Sequence, residues 1–264
     1  MTRWPAAVLD DPSGVLLGLD FDGTLSPIVD DPTQAYVHPR SVAALDRLGP
    51  RLGLVAIVTG RPVDQVLELG GFQQHTGLSG LVVCGQYGVE RWDAATGEVV
   101  RPERSAAVAQ LVEELPAWLD EHGAQHVRIE DKGLAVALHT RGIDPDLLQR
   151  LDAPLRDWAH RLGLALEPGR QVMELRSPGS DKGDAMRHLV ERTGARTVVY
   201  AGDDLGDLPA FDAVDAFRAE GLAGLLACSV SPEQDALVPR SDVVLQGPDD
   251  VADWLTELAD ALEA

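Results

Sequence analysis

Two cysteines, Cys84 and Cys228, are all the chain holds, and each closes an apolar run. Buried free thiols are therefore expected rather than a disulfide framework, and no Cys or His cluster has metal-site spacing. His122 and His126 stand four apart, but Gly123 and the helix end expected there break the face a ligand pair needs. No apolar run approaches the length that crosses a bilayer, and the opening Met1-Thr2-Arg3-Trp4-Pro5 has no segment of signal-peptide type. A cytoplasmic protein without a membrane partner is expected. Basic residues are scarce too: 22 Lys and Arg stand against 43 Asp and Glu, a formal charge of -21. A surface that acidic repels polyanions unless a basic patch intervenes, and none does, so nucleic acid is excluded as a partner. Internal repeats, low-complexity tracts and long linkers are also missing.

What is present is an ordinary globular composition, 45% hydrophobic and 25% charged over 264 residues, enough for one large domain or two modest ones. The organising stretch is an apolar run at 15–19 that breaks off at Asp20, followed by Phe21, Asp22, Gly23 and Thr24. Side chains alternate along an extended chain, so Asp20 and Asp22 leave the strand tip on one side. Gly23 permits a sharp turn, and Thr24 sets a hydroxyl beside the acids. At the carboxyl end of a strand in a parallel sheet this arrangement suits a divalent cation and a phosphate; an Asx-turn is the plainer alternative.

The pattern of apolar strand, polar tip and helix then repeats, which predicts a parallel sheet. A run at 52–58 stops at Thr59-Gly60-Arg61-Pro62 before a helix, where Thr59 could cap the helix, contact phosphate, or do both. A third strand at 81–84 leads into Gly85, Gln86, Tyr87, Gly88 and Glu90, with a hairpin turn at 94–97. From about Ser105 the character changes to helix (106–119), hairpin (127–130 and 134–139), helix (145–162) and hairpin (164–167 and 171–176), an inserted α/β domain with an antiparallel sheet. The first pattern resumes with Lys182 near the start of a helix at 184–191. A strand at 197–201 then runs into Asp203, Asp204 and Asp207, carboxylates that repel one another unless a cation sits among them. Apolar strands at 222–228 and 243–245 and a helix at 251–262 close the chain.

The ordered set of Asp20 and Asp22, Thr59, Lys182, and Asp203 to Asp207 resembles the four motifs of the haloacid dehalogenase superfamily of phosphatases over essentially the entire chain. The resemblance implies an α/β fold: a Rossmann-like parallel-sheet core at 1–103 and 178–264, with an inserted α/β cap, antiparallel sheet plus helices, at 104–177. Within that superfamily the chain is similar to the trehalose-phosphatase family at Asp20 to Ile28, at Thr59-Gly60-Arg61 and at Gly85-x-x-Gly88-x-Glu90. In the cap the similar segments are Glu130-x-Lys132, His139-x-Arg141 and Glu174-Leu175-Arg176.

The same resemblance implies a chemistry and a set of residue roles. Asp20 is expected to attack phosphorus and give an aspartyl-phosphate, and Asp22 to protonate the leaving oxygen and later take a proton from water. Mg2+ is expected at Asp20, at Asp22 through its backbone carbonyl, and at Asp203, with Asp204 or Asp207 joining directly or through water. Thr59 and Lys182 are expected to hold the phosphoryl oxygens. The wider substrate set is Gly23, Thr24, Gly60, Arg61, Gly85, Tyr87, Glu90, Glu130, Lys132, His139, Arg141 and Glu174. The expected partner is a small-molecule sugar phosphate, trehalose 6-phosphate first, acted on by a monomer. Sucrose phosphate, mannosyl-glycerate phosphate and a pseudo-disaccharide phosphate are alternatives, as are a non-catalytic sugar-phosphate sensor and a phosphotransferase. Tyr87 stands where the family usually shows His, and Gly206 and Leu208 stand where Thr and Glu are usual. Both departures bear on the sugar more than on the reaction.

Overall fold

The computed structural model describes residues 3–139, 144, 146–169, 172–230 and 237–264. Arg141 lies outside the described residues, as does position 145, where the sequence places the start of the second helix of the insert. The chain divides into two compact units, Met1–Arg101 with Ser180–Ala264, and Pro102–Gly179.

The first unit opens with α1 (Ala6–Asp10) and contains β1 (Val15–Leu19), α2 (Pro39–Leu48), β2 (Leu54–Val58), α3 (Val63–Gly70), β3 (Val82–Gly85), β4 (Glu90–Asp93) and β5 (Glu98–Val100). The second unit holds α4 (Ala106–Glu121), β6 (Arg128–Asp131), β7 (Ala135–His139), α5 (Leu147–Leu162), β8 (Ala165–Gly169) and β9 (Val172–Arg176). The first unit then resumes with α6 (Lys182–Thr193), β10 (Thr197–Gly202), α7 (Leu208–Ala219), β11 (Ala223–Ser229), β12 (Val243–Leu245) and α8 (Pro248–Glu263).

The eight strands of the first unit lie in the order β12-β11-β10-β1-β2-β3-β4-β5. All pairs from β12 to β3 are parallel. Two hydrophobic layers cover the sheet, which is why its inner strands read as continuous apolar runs rather than as alternation. Val15, Leu17 and Leu19 pack with Leu45, Leu48, Trp254 and Leu258 on one face; Leu16 packs with Met186, Leu189, Tyr200 and Phe211 on the other. Each fully buried leucine contributes about 1.5–3 kcal/mol. The chain proceeds outward from β1 to β2 and β3 on one side, and β10 to β12 fill the other. The order reverses between β1 and β10, and open α/β sheets bind ligands beyond the carboxyl ends of strands at such a reversal. Asp20 follows β1, and Asp203 follows β10.

The edge of the sheet departs from a purely parallel arrangement. The turn over Gln86–Gly88 is far too short for a helical crossover, so the chain reverses and adds β4 and β5 antiparallel at the edge. Helix α7 follows the acidic loop directly, with proline in its first turn, where the amide proton is not needed.

In the second unit four antiparallel strands lie in the order β6-β7-β9-β8. Val136, Leu138, Met173 and Leu175 form a core with Val108, Leu111 and Leu115 of α4 and Leu151 and Leu155 of α5. The opposite face is set by register: Glu130 pairs with Ala137, Ala137 with Glu174, and Glu174 with Glu167, so three acids and a small residue stand in one row.

Candidate active site

The site is built on the two central strand tips. Asp20 is buried, and its backbone amide donates to the Ala201 carbonyl at 2.9 Å, which continues the β1–β10 ladder one residue past β1. Lys182 is the first residue of α6, whose capping box pairs Asp181 with Asp184 and so fixes where the helix starts. Its buried ammonium donates to Asp20 Oδ1 at 2.6 Å and to Asp207 Oδ1 at 2.7 Å. Asp207 is fully buried and heavily engaged. Its Oδ1 also accepts from the Tyr200 hydroxyl at 2.6 Å, and its Oδ2 accepts from the Asp203 and Asp204 amides at 3.0 and 3.2 Å.

Too many acids share this space for one ammonium. Burial pushes Asp20 up to about 8, with Lys182 opposing and Asp207 adding to the rise. Burial likewise holds Asp203 well above the ordinary carboxylate range, reinforced by Asp20, Asp204 and Asp207. On Lys182 burial works against the charge, but Asp20 and Asp207 outweigh it and hold the ammonium well above its ordinary value. Burial and then Asp207 raise the Tyr200 phenol far above its usual range, so it stays a donor.

A cation fits this set. Oxygens of the buried Asp20, Asp203 and Asp207 lie within 4.8 Å of one another, and hard carboxylate donors at that spacing suit a divalent ion. Asp204 lies outside the group and is exposed, its Oδ1 accepting from the Gly206 amide at 2.8 Å. Gly23 allows the first loop to close on the second: it has φ +77°, and a Cβ there would stand 2.0 Å from Asp203 Oδ2. Its carbonyl accepts from the Ser229 hydroxyl at 2.7 Å. Thr24 is buried, and its hydroxyl has no hydrogen-bond partner among the described residues.

The Asp22 side chain does not join the acid cluster. It is gripped from the β2 tip by Arg61, whose Nε donates to Oδ2 at 2.6 Å and whose Nη2 donates to Oδ1 at 2.7 Å. Thr59 is buried, and its hydroxyl accepts from the Arg61 amide at 3.1 Å; the residue capping α3 is Pro62 rather than Thr59. Gly60 lies under the Tyr87 ring, where a Cβ would come within 2.9 Å of the phenol oxygen. Tyr87 and Gln86 have φ of +61° and +46°, a conformation that costs a residue with a side chain on the order of 1 kcal/mol or more. Backbone bonds hold it: Tyr87 N to Thr59 O and Gln86 N to Arg61 O, each 2.9 Å. Glu90, expected to meet substrate, has both oxygens in use. Oε2 accepts from the Val63 amide at 2.8 Å, and Oε1 accepts from Gln86 Nε2 at 2.9 Å and Arg101 Nε at 2.8 Å. It ties the start of β4 to the start of α3. Gly85 is the last residue of β3.

Within the second unit, Glu130, His139 and Glu174 share the face opposite the helices. Glu130 Oε2 lies 2.7 Å from His139 Nε2, and Lys132 Nζ donates to Glu174 Oε2. Glu174 Oε1 is buried without a partner among the described residues. Arg176, also on this face, donates to Glu167 at 2.8 Å. Three contributors escape a reading of the sequence: Tyr200 under Asp207, the grip of Arg61 on Asp22, and Glu167. Only Tyr200 leaves a trace there, as a hydroxyl set in the apolar middle of its strand.

The family model described as trehalose-phosphatase matches residues 18–239. A trehalose-phosphate phosphatase of Mycobacterium marinum is 38% identical over 203 residues, covering 74% of this chain and 50% of that protein. One from Mycolicibacterium paratuberculosis is 32% identical over 251 residues, covering 92% and 62%. The chain therefore spans between half and 62% of the length of these curated relatives. The fold matches the C-terminal domain of a trehalose-6-phosphate phosphatase from C. albicans with a TM-score of 0.74 at 20% identity, covering 98% of both chains. With its model matched from just before the first acid to beyond the last, the chain belongs to the trehalose-phosphatase family.

Proposed function

We propose that this chain is a Mg2+-dependent phosphatase that hydrolyses trehalose 6-phosphate to trehalose and inorganic phosphate through an aspartyl-phosphate. The observation that carries the reading is the buried Lys182 ammonium shared between Asp20 and Asp207, with Asp203 beside them, in a member of this family. Phosphoryl transfer is mostly positioning and cancellation of charge, and this cluster provides a nucleophile and a fixed cation at one place. Asp20 forms the new oxygen–phosphorus bond while the bond from phosphorus to the sugar oxygen breaks, and Asp22 supplies the proton that oxygen needs. Asp22 then accepts a proton from the water that displaces Asp20 from phosphorus, which restores both carboxyl groups. Asp20, Asp203 and the Asp22 carbonyl would hold Mg2+, which would supply positive charge to offset the phosphoryl oxygens. Lys182 and Thr59 orient those oxygens.

For the sugar we assign the polar face of the second unit: Glu130, Lys132, His139 and Glu174. The buried Glu174 Oε1, without a partner among the described residues, favours a ligand that brings a donor, as a sugar hydroxyl does. The test is phosphate release from a panel of sugar phosphates with Mg2+ and with a chelator. Rapid release from trehalose 6-phosphate, lost with chelator and in Asp20→Asn, is expected. Negligible release from it beside rapid release from another ester would overturn the substrate assignment.

A further inference from the structure

We propose that Arg61 is the positioning residue for Asp22 rather than a ligand of the substrate phosphate, an inference that rests on the phosphatase reading above. Both carboxylate oxygens of Asp22 are taken by one guanidinium edge, at 2.6 and 2.7 Å. A planar fork meeting a planar carboxylate fixes its orientation as well as its place, which a point charge such as lysine does not do.

The guanidinium is itself immobilised. Its Nη1 donates to the Pro32 carbonyl at 2.9 Å and to Gln65 Oε1 at 3.4 Å, and its carbon stands 5.3 Å from the centre of the Phe21 ring. Phe21 lies between Asp20 and Asp22, so the same arginine braces the backbone joining the two acids. The arginine side chain is 10% exposed while Asp22 is 41% exposed, so the buried partner is the clamp and the accessible partner is the group free to work. Each carboxylate oxygen offers about two acceptor directions, and the clamp uses one on each, leaving a second for a proton in transit. Lys182 already supplies a positive charge to the cluster at Asp20. Four of the five guanidinium N–H groups are spent on Asp22, Pro32 and Gln65.

The consequence is specific to the leaving group. A sugar alkoxide must be protonated as it departs, whereas p-nitrophenolate departs without help. In Arg61→Gln, kcat/KM for trehalose 6-phosphate is expected to fall by ~100-fold, the order of loss that follows misplacement of a reacting group by about an ångström. For p-nitrophenyl phosphate the fall is expected to be roughly tenfold or less, because the missing proton transfer matters little there. The inhibition constant of inorganic phosphate stays as in the parent protein.

Equal losses on the two esters, or a phosphate inhibition constant raised in step with the loss, would overturn the proposal and make Arg61 a phosphate ligand. Should Arg61→Gln not fold, Arg61→Lys serves in the same comparison, with partial recovery expected because the charge returns without the fork. Asp22→Asn carries the second arm: with the carboxylate gone, adding Arg61→Lys causes no further loss on the sugar ester, whereas a full additional loss contradicts an action through Asp22. A parent protein inactive on both esters would defeat the phosphatase reading itself, an outcome distinct from all of these.

Discussion

Removing the charge of Asp203 should make the metal-free protein more stable and at the same time deprive it of its response to Mg2+. Its carboxylate shares a space in which Asp20, Asp203 and Asp207 oxygens lie within 4.8 Å of one another. Two like charges at that distance, with an effective dielectric of about 20, repel by about 3.5 kcal/mol. Asp203 meets two such neighbours and one compensating ammonium, Lys182, so Asp203→Asn relieves about 3 kcal/mol where all are ionised.

The pH dependence has a definite sign. Asp203 is held above its ordinary value in the fold, so the folded protein binds this proton more tightly than the unfolded chain does. Stability from that source is complete below the ordinary carboxyl range and is lost as pH rises. Metal-free parent protein should therefore lose stability as pH rises out of the ordinary carboxyl range, and the variant should lose less, ending up to roughly 6–12 °C higher in melting temperature at the higher pH. Magnesium at about 100 times its dissociation constant adds about 2.7 kcal/mol to the parent, and most of that increment disappears in the variant. Thermal unfolding at several pH values, with chelator and with Mg2+, reads both effects. A variant that melts below the parent without metal, or one raised by Mg2+ as much as the parent, would refute the reasoning.

Three further outcomes rest on the same geometry. Tyr200→Phe removes one donor from a buried carboxylate that keeps its bond to Lys182; it should cost about 1 kcal/mol in urea unfolding and lower kcat without changing the fold. Gly23→Ala places a methyl against Asp203 at a backbone angle of +77°, so it should destabilise the protein by about 1–3 kcal/mol and depress Mg2+ affinity, both readable by titration calorimetry and unfolding. Burial pushes the Cys84 thiol up to about 12 and the Cys228 thiol up to about 11. Neither should react with a thiol reagent at about pH 8 in the native protein, and both should react after denaturation.

Much of this arrangement can be read from the amino-acid order, and what escapes has a physical reason. Strands buried on both faces announce themselves as unbroken apolar runs, so β1, β2 and β10 are legible, with the acids that follow β1 and β10, as is the α/β class. The pairing of Arg61 with Asp22 is not, because it joins residues 39 apart whose meeting depends on β1 and β2 being neighbours. Asp207 reads as one more metal ligand in a run of acids. Its two oxygens also collect four donors, one of them from Tyr200, which composition alone assigns to the core. Glu90 is similarly ambiguous: a carboxylate after a glycine turn suits a substrate as well as the amide of Val63. Helix α7 starts with Asp207 at the cap position and a proline in its first turn, both ordinary start signals, but they lie in a run of acids that reads as a metal-binding loop. In the second unit, the alternation of Val136, Leu138, Met173 and Leu175 with small or polar residues marks β7 and β9. Only the register shows that Glu130, Glu174 and Glu167 stand in one row across Ala137.

Trapping the covalent intermediate tests the central claim most directly. Protein mixed with trehalose 6-phosphate and Mg2+, quenched in acid within the first turnover and digested, should carry a phosphoryl group on the peptide containing Asp20, and Asp20→Asn should carry none. A phosphoryl group on another residue, or turnover without any labelled peptide in a quench fast enough to precede product release, would contradict it.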